Sequence, residues 1–283
     1  MTRISRIAGA TAAVASLFLL SACASGTGDD AATTGPDALD TVTPGVLTIA
    51  TGEPAYSPWV ENDDPASGEG FEAAVAYAVA EKLGFAAEDV TWIRTPFDTV
   101  IAPGPKDFDL NIQQFSATDE RRQAVDFSTP YYTTTQAVVT TSDSAAADAD
   151  SLADLAGLNL GVAAGTSTLD TVNEIIAPEN DPSIFNSIDD AVQAQRAGQI
   201  DAIVTDLPGA FYIAYGGQLG DDGVLVGQLD STAGGDELSF LLEKDSPLTD
   251  AVSAAVDELR EDGTLDELAT TWIDDNADVP VLK

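Results

Sequence analysis

The stretch from 71 to 93, FEAAVAYAVAEKLGFAAEDVTWI, combines an amphipathic helix with a short β-strand. Four apolar residues recur at every fourth position and share one face of the predicted helix: Phe71, Val75, Val79 and Leu83. Gly84 ends the helix, and the β-branched and aromatic residues of 90–93 are typical of a strand. This order of elements predicts a βα repeat of an α/β fold.

The same alternation extends in both directions from this stretch. The apolar run VLTIAT at 46–51 predicts a preceding strand, and a short helix at 97–101 and a strand at 108–112 follow. A second unit begins near residue 151, with predicted helices at 151–155, 168–176, 188–197 and 208–215 and strands at 158–162, 184–186 and 202–205. Two such units predict an α/β fold with largely parallel sheets.

Two further predicted strands, QAVVTT at 136–141 and LSFLL at 238–242, separate the units. If each crosses between lobes, residues 45–139 and 239–283 form lobe 1 and residues 140–238 form lobe 2. Ser246 and Pro247 predict the N-cap and first residue of a helix that returns to lobe 1. The spacing therefore predicts two lobes joined by two crossover strands, with a cleft between them.

The first 22 residues have the pattern of a secretory signal peptide, with Arg3 and Arg6 before an apolar run at 7–20. The run ends at LSAC, which resembles a bacterial lipobox and makes Cys23 the expected lipidation site; an ordinary signal peptide with a chance cysteine is the alternative. Residues 23–44 are small and polar, as expected for a flexible tether. These features predict a protein anchored by lipid to the extracytoplasmic face of the cell membrane.

The composition excludes several classes of function. With 48 acidic and 11 basic residues, the net charge of -37 disfavours nucleic acid and anionic lipid surfaces as partners. The acids are spread along the chain, which favours a solvated acidic surface over a charge-specific function. Histidine is absent and Cys23 is the only cysteine, which excludes Ser-His-Asp and Cys-His catalysis and Cys/His zinc sites. We therefore expect no catalytic residue, metal or cofactor, although chemistry by carboxylates alone remains open.

The segment KDFDLNIQQFSATDERRQAVDFSTPYY at 106–132 carries the most specific pattern in the chain. Its Ser116, Thr118 and Arg121, followed by VDFSTPYY, resemble the family-3 extracellular solute-binding proteins, the polar-amino-acid receptors of ABC importers. The resemblance covers nearly all of 45–275 and includes further motifs in the family's order: GFE at 70–72, LADLAGLNLGV at 152–162, GTS at 165–167, DAIVTD at 201–206 and EDGTLDEL at 261–268. It implies a two-lobed fold of the type II periplasmic-binding-protein kind. Such a protein is expected to be a monomer that closes on an amino acid and delivers it to ABC permease subunits.

The resemblance also implies roles for individual residues. A buried amino acid needs partners for its α-carboxylate and its α-ammonium. Arg121, whose planar guanidinium can form two parallel hydrogen bonds to a carboxylate, would bind the α-carboxylate with support from Ser116. Thr166 and Ser167 would reach the same carboxylate from the opposite lobe, and Asp206 would bind the α-ammonium. Simple helix capping is the alternative role for the residues at 165–167 and for Asp206.

Three aromatic residues are expected to line the pocket for the ligand side chain: Tyr56, Trp59 and Phe97. Gln113 and Gln114 replace the small residues that are common in the family, and they should narrow the pocket or hydrogen-bond a polar side chain. Glu53 and Glu72 occupy positions where aspartate is more usual. A neutral polar amino acid is the favoured ligand, and a cationic one attracted by Glu53 remains open.

Two alternative functions remain at this stage. The family's fold also hosts a cyclohexadienyl-type dehydratase, which would use carboxylate acid–base chemistry. A ligand-binding subunit of a sensor is the other alternative, and neighbouring permease and ATPase genes would argue against it.

Overall fold

The computed structural model of the chain describes residues 39–230, 235–273 and 279–283. The predicted signal peptide, the lipidation site Cys23 and the tether as far as residue 38 lie outside these ranges. The strands are β1 (Leu47–Thr51), β2 (Val90–Arg94), β3 (Leu110–Asn111), β4 (Asp126–Thr134), β5 (Gln136–Thr141), β6 (Leu160–Ala163), β7 (Ser183–Phe185), β8 (Ala202–Asp206), β9 (Gly223–Leu229), β10 (Asp236–Leu242) and β11 (Val281–Leu282). The α-helices are α1 (Phe71–Lys82), α2 (Phe97–Val100), α3 (Leu152–Leu155), α4 (Thr168–Thr171), α5 (Ile188–Arg196), α6 (Leu207–Tyr215), α7 (Thr249–Glu261) and α8 (Thr264–Trp272).

The strands form two mixed sheets, which confirms the predicted two-lobed α/β architecture. The first sheet has the order β2-β1-β3-β10-β4, with β1 parallel to β2 and β3 and with β10 antiparallel to its neighbours. The second has the order β11-β9-β5-β8-β6-β7, in which β6 is parallel to β7 and β8 while β5 is antiparallel to β8 and β9. Parallel neighbours bring the carboxyl ends of their strands to the same edge, where open α/β sheets bind ligands.

Strand β1 has apolar residues on both of its faces, and its burial explains why. All five residues of β1 are buried, because the strand has neighbours on both edges and packed clusters on both faces. Leu47 and Ile49 belong to the cluster that includes α1 and α7, whereas Ala50 faces a second cluster with Phe115. Successive side chains of a strand point to opposite faces, so both faces of β1 need apolar residues.

Helix α1 ends at Lys82, one residue before the predicted end, and its predicted apolar face is buried. The helix begins after Gly70, which has a φ of 101°. A Cβ on Gly70 would lie 2.6 Å from the carbonyl oxygen of Trp59, so only glycine fits this close approach.

The connections between the sheets differ from the predicted boundaries. The predicted crossing at residue 139 falls within β5, all of which lies in the second sheet, and the chain passes between the sheets at Thr135. The predicted return at 239 likewise falls within β10, which lies in the first sheet. The final strand β11 pairs with β9, so the last residues belong to the second sheet and not to lobe 1.

Two predicted helices have different bounds in the structure. The helix predicted to start at Pro247 begins at Thr249, because Ser246 forms a turn in which its hydroxyl accepts a hydrogen bond from the Leu248 N–H at 3.2 Å. The helix predicted for 168–176 is α-helical only to Thr171 and continues as a π-helical turn at Val172–Ile176. No helix within the described ranges is long and apolar enough to cross a bilayer.

Candidate ligand-binding site

A cavity of about 470 Å³ lies between the two sheets, at the ends of strands from both. Its size is within the range of small-molecule sites. All nine residues predicted to bind a ligand line it: Glu53, Tyr56, Phe97, Gln114, Ser116, Arg121, Thr166, Ser167 and Asp206. Trp59 and Gln113, which were expected near the pocket, line it as well.

Arg121 is a buried cation that has no ionic partner in the described part of the chain. Its side chain donates hydrogen bonds from Nη1 to the Ser116 carbonyl at 2.8 Å and from Nη2 to the Gly165 carbonyl at 2.7 Å. None of the ion pairs among the described residues includes it. Burial lowers the pKa of Arg121, yet a guanidinium stays charged in proteins. Each terminal nitrogen keeps a second N–H, so the group is prepared to bind an anion in the cavity.

The residues around Arg121 connect the two sheets without a ligand. Ser116 follows β3 of the first sheet, and its hydroxyl lies 3.2 Å from the hydroxyl of Ser167, which follows β6 of the second. Ser167 also donates to Asp236 at 3.3 Å, and Asp236 accepts from Gln136 at 2.5 Å. Asp236 and Gln136 both line the cavity but were not predicted. The sequence signal that could have identified them is their position, because Gln136 is the first residue of β5 and Asp236 is the first residue of β10.

Thr166 lies in the loop between β6 and α4, as the sequence predicted. Its hydroxyl donates to the Ala163 carbonyl at 2.8 Å, so its oxygen remains available only as an acceptor. Gly165 has a φ of 75°, a conformation that favours glycine, and its carbonyl accepts from Arg121. The loop therefore contributes an acceptor to Arg121 as well as hydroxyl groups to the cavity.

Asp206 combines the two roles that the sequence left open, because it caps a helix and also faces the cavity. Its Oδ1 accepts from the Gly209 N–H at 2.7 Å, which makes Asp206 the N-cap of α6. Burial raises the pKa of Asp206, and the backbone hydrogen bond from Gly209 opposes this rise. No described cation pairs with it. A ligand ammonium would supply the missing positive charge.

Aromatic rings form part of the cavity wall. Phe97 stacks on Phe115 at 4.6 Å between ring centroids, and the Arg121 guanidinium lies 5.5 Å from the Phe97 centroid. Burial and the nearby Asp189 carboxylate raise the pKa of Tyr56, which therefore stays a neutral phenol. Trp59 is only 2% exposed and packs against Phe71, so most of its surface belongs to the core.

The charged groups of the cavity wall are mainly carboxylates, which only accept hydrogen bonds. Among the described lining residues, Arg121 is the one cation, against five carboxylates: Glu53, Asp98, Asp189, Asp206 and Asp236. The amide oxygen of Gln113 is buried and has no hydrogen-bond partner within the described ranges. Such a wall favours a ligand that brings positive charge and N–H donors.

Comparisons with known proteins agree with this geometry. The family model for bacterial extracellular solute-binding proteins, family 3, matches residues 47–275. The chain is 31% identical over 230 residues to a protein named as a probable histidine-binding protein of Campylobacter jejuni, covering 78% of this chain and 83% of that one. It is 31% identical over 207 residues to the arginine-binding extracellular protein ArtP of Bacillus subtilis, covering 72% and 77%. A solved structure of an ancestral arginine-binding protein bound to arginine has a TM-score of 0.65 at 28% identity, covering 81% of this chain and 98% of that one.

Proposed function

The chain belongs to family 3 of the bacterial extracellular solute-binding proteins, and we propose that it binds a cationic amino acid in the cavity between its lobes. The observation that carries this proposal is a buried, unpaired Arg121 in the same cavity as an unpaired Asp206. Together the two groups complement the opposite charges of a zwitterion.

In this proposal, Arg121 binds the α-carboxylate and Asp206 binds the α-ammonium. The Ser116 and Ser167 hydroxyls complete the contacts to the carboxylate once they turn from each other and from Asp236 toward the ligand. The Thr166 hydroxyl, which donates to the Ala163 carbonyl, is left to accept a hydrogen bond from a ligand N–H group. Because Ser116 and Arg121 follow β3 while Thr166, Ser167 and Asp206 lie on the second sheet's side, each lobe supplies part of the site. Binding therefore favours closure of the lobes around the ligand.

The ligand side chain is proposed to carry positive charge, although the sequence favoured a neutral polar one. The reason for the change is the acidic wall of the cavity and the unpartnered amide oxygen of Gln113, neither of which can be recognised from the sequence alone. Relatives named as binding histidine and arginine support the same assignment. Tyr56 and Phe97 would contact the apolar part of the side chain.

Calorimetry with pairs of amino acids tests this proposal. L-Arginine and L-citrulline have nearly the same shape, but citrulline is neutral and places a carbonyl oxygen where arginine has an N–H group. We expect L-arginine to bind at least about tenfold more tightly than L-citrulline, or about 1.4 kcal/mol, because only arginine matches the acceptors of the wall. L-Glutamate should bind more weakly still. Equal or tighter binding of citrulline or glutamate would contradict the proposed cationic ligand.

We also propose that the mature chain is attached by lipid at Cys23 on the extracytoplasmic face and delivers its ligand to the permease subunits of an ABC importer. The support is the LSAC sequence at 20–23 and membership in an extracellular family. The proposal contains no catalytic step. A sensor or dehydratase role has no supporting observation in the described cavity.

Replacing Cys23 with serine tests the anchor. When the full chain is expressed in a bacterium that processes lipoproteins, we expect the wild-type protein to enter the detergent phase of a phase-separation assay. The Cys23→Ser protein should enter the aqueous phase, because a single buried acyl chain contributes several kcal/mol of membrane affinity, on the order of 0.8 kcal/mol for each CH₂ group. If the wild-type protein also enters the aqueous phase, Cys23 is not lipidated.

A further inference from the structure

Glu72 is a fully buried carboxylate that lies behind the cavity wall. It is 0% exposed, is not among the residues that line the cavity, and forms no ion pair with a described cation. Burying a carboxylate without a cation is costly unless hydrogen bonds compensate it. The compensating donors are the Tyr131 hydroxyl and two N–H groups of Gln114.

The contact with Gln114 fixes both the backbone and the side chain of that residue. Glu72 Oε1 accepts from the Gln114 backbone N–H at 2.8 Å, and Glu72 Oε2 accepts from Gln114 Nε2. Gln114 has a φ of 50°, in the left-handed region that is unfavourable for a residue with a side chain. A pair of hydrogen bonds from one carboxylate to one residue holds it in this conformation.

The orientation of the Gln114 amide follows from simple acceptor chemistry. At pH 8, above the raised pKa of Glu72, its ionised carboxylate has no proton to donate, so the amide turns its nitrogen, and not its oxygen, toward Glu72. Gln114 lines the cavity, and its amide oxygen accepts no hydrogen bond from any described residue. The amide oxygen of the neighbouring Gln113 is buried and also lacks a hydrogen-bond partner among the described residues.

We infer that Glu72 is a positioning residue for ligand selectivity: it holds the Gln114 amide nitrogen, so that the amide oxygen faces the ligand and selects a side chain that donates hydrogen bonds. This inference rests on the proposed function, because it concerns how the same cavity chooses its amino acid. Glu72 itself does not touch the ligand.

The test is the ratio of L-arginine to L-citrulline affinity, measured by calorimetry at pH 8 for Glu72→Gln and for the wild-type protein. A glutamine at position 72 can donate an N–H to the Gln114 oxygen, which allows the Gln114 amide to turn and present its nitrogen to the cavity. We expect the ratio to fall at least about tenfold, with citrulline affinity maintained or improved. Glu69→Gln, which removes an equal charge from an exposed residue just before α1, should leave the ratio unchanged.

A second variant separates positioning from the direct effect of the lost charge. Gln114→Met keeps the Glu72 carboxylate but removes the amide, so the ratio should fall in this variant too. Glu72→Gln introduced into the Gln114→Met protein should then change the ratio little further, since coupled residues are not additive. If Gln114→Met keeps the wild-type ratio, Glu72 does not act through Gln114 and the inference is wrong.

The outcomes distinguish this inference from the proposed function. A wild-type protein that binds neither amino acid contradicts the proposed function itself. If the wild-type protein prefers arginine and Glu72→Gln, Gln114→Met and the double variant all keep that preference, only the role of Glu72 is contradicted. If Glu72→Gln does not fold by circular dichroism, the Gln114→Met ratio alone decides the matter.

Discussion

Replacing Arg121 with alanine should weaken amino-acid binding at least about 30-fold, which corresponds to about 2 kcal/mol. The ligand carboxylate would then be buried without a charged partner, and truncating one member of such a pair has a large effect on affinity. The loss should appear with every amino acid that binds the wild-type protein, because the α-carboxylate is common to all of them. Calorimetry with the tightest ligand measures the effect directly.

Arg122 provides the matched control. It is the next residue, carries the same charge and is exposed, with its guanidinium 5.5 Å from the Phe127 ring centroid. Arg122→Ala changes the net charge equally and should keep the wild-type affinity within about threefold, because exposed charges contribute little. Arg121→Lys should recover only part of the loss, since an ammonium cannot form two parallel bonds to a carboxylate. Equal effects of the two alanine substitutions would show that general charge, and not the site, controls binding.

Much of the fold could be predicted from local sequence patterns, but the sheet to which a strand belongs could not. Helices such as α1 and α5 have periodic apolar faces, and Ser187 caps α5 by accepting a hydrogen bond from the Asp190 N–H at 3.1 Å. The sheet in which a strand lies depends on partners far away in the chain. Strand β5 could therefore be predicted as a strand, while its complete membership of the second sheet could not.

The candidate site shows the same division between local and long-range information. The predicted ligand-binding residues were found because they lie in or near motifs that follow one another in the same order as in the family, such as the segment that contains Ser116 and Arg121. All of these residues line one cavity. Asp189 and Asp236 were missed, because a single aspartate at a helix start or strand start has no distinctive local pattern. Their effect on the ligand appears only when both sheets contribute to one acidic wall. This is why the sequence favoured a neutral ligand and the structure supports a cationic one.

The stability of the protein should depend on pH through Glu72. Burial raises the pKa of Glu72 from 4.5 to about 7, with a smaller rise from Asp206, while hydrogen bonds from Tyr131 and Gln114 oppose it. Tyr131, whose own pKa is raised by burial, and Asp206 are the titratable groups that face Glu72. Because the folded-state pKa lies above the unfolded one, the protonated carboxyl stabilises the fold fully below about pH 4.5. This contribution is lost as the pH rises through 7, and it amounts to about 3 kcal/mol.

Comparing the free energies of unfolding of the wild-type and Glu72→Gln proteins separates the contribution of Glu72 from that of the other carboxylates. The other carboxylates also titrate, so the wild-type curve alone does not identify Glu72; the difference between the two free energies of unfolding does. From pH 5 to pH 8, the wild-type protein should lose stability relative to Glu72→Gln by an amount approaching about 3 kcal/mol, measured by urea unfolding at each pH. The Glu69→Gln protein, which lacks an exposed carboxylate instead, should follow the wild-type curve. A difference between wild type and Glu72→Gln that stays constant across this range would mean that Glu72 is ionised throughout, and that its three donors fully offset its burial.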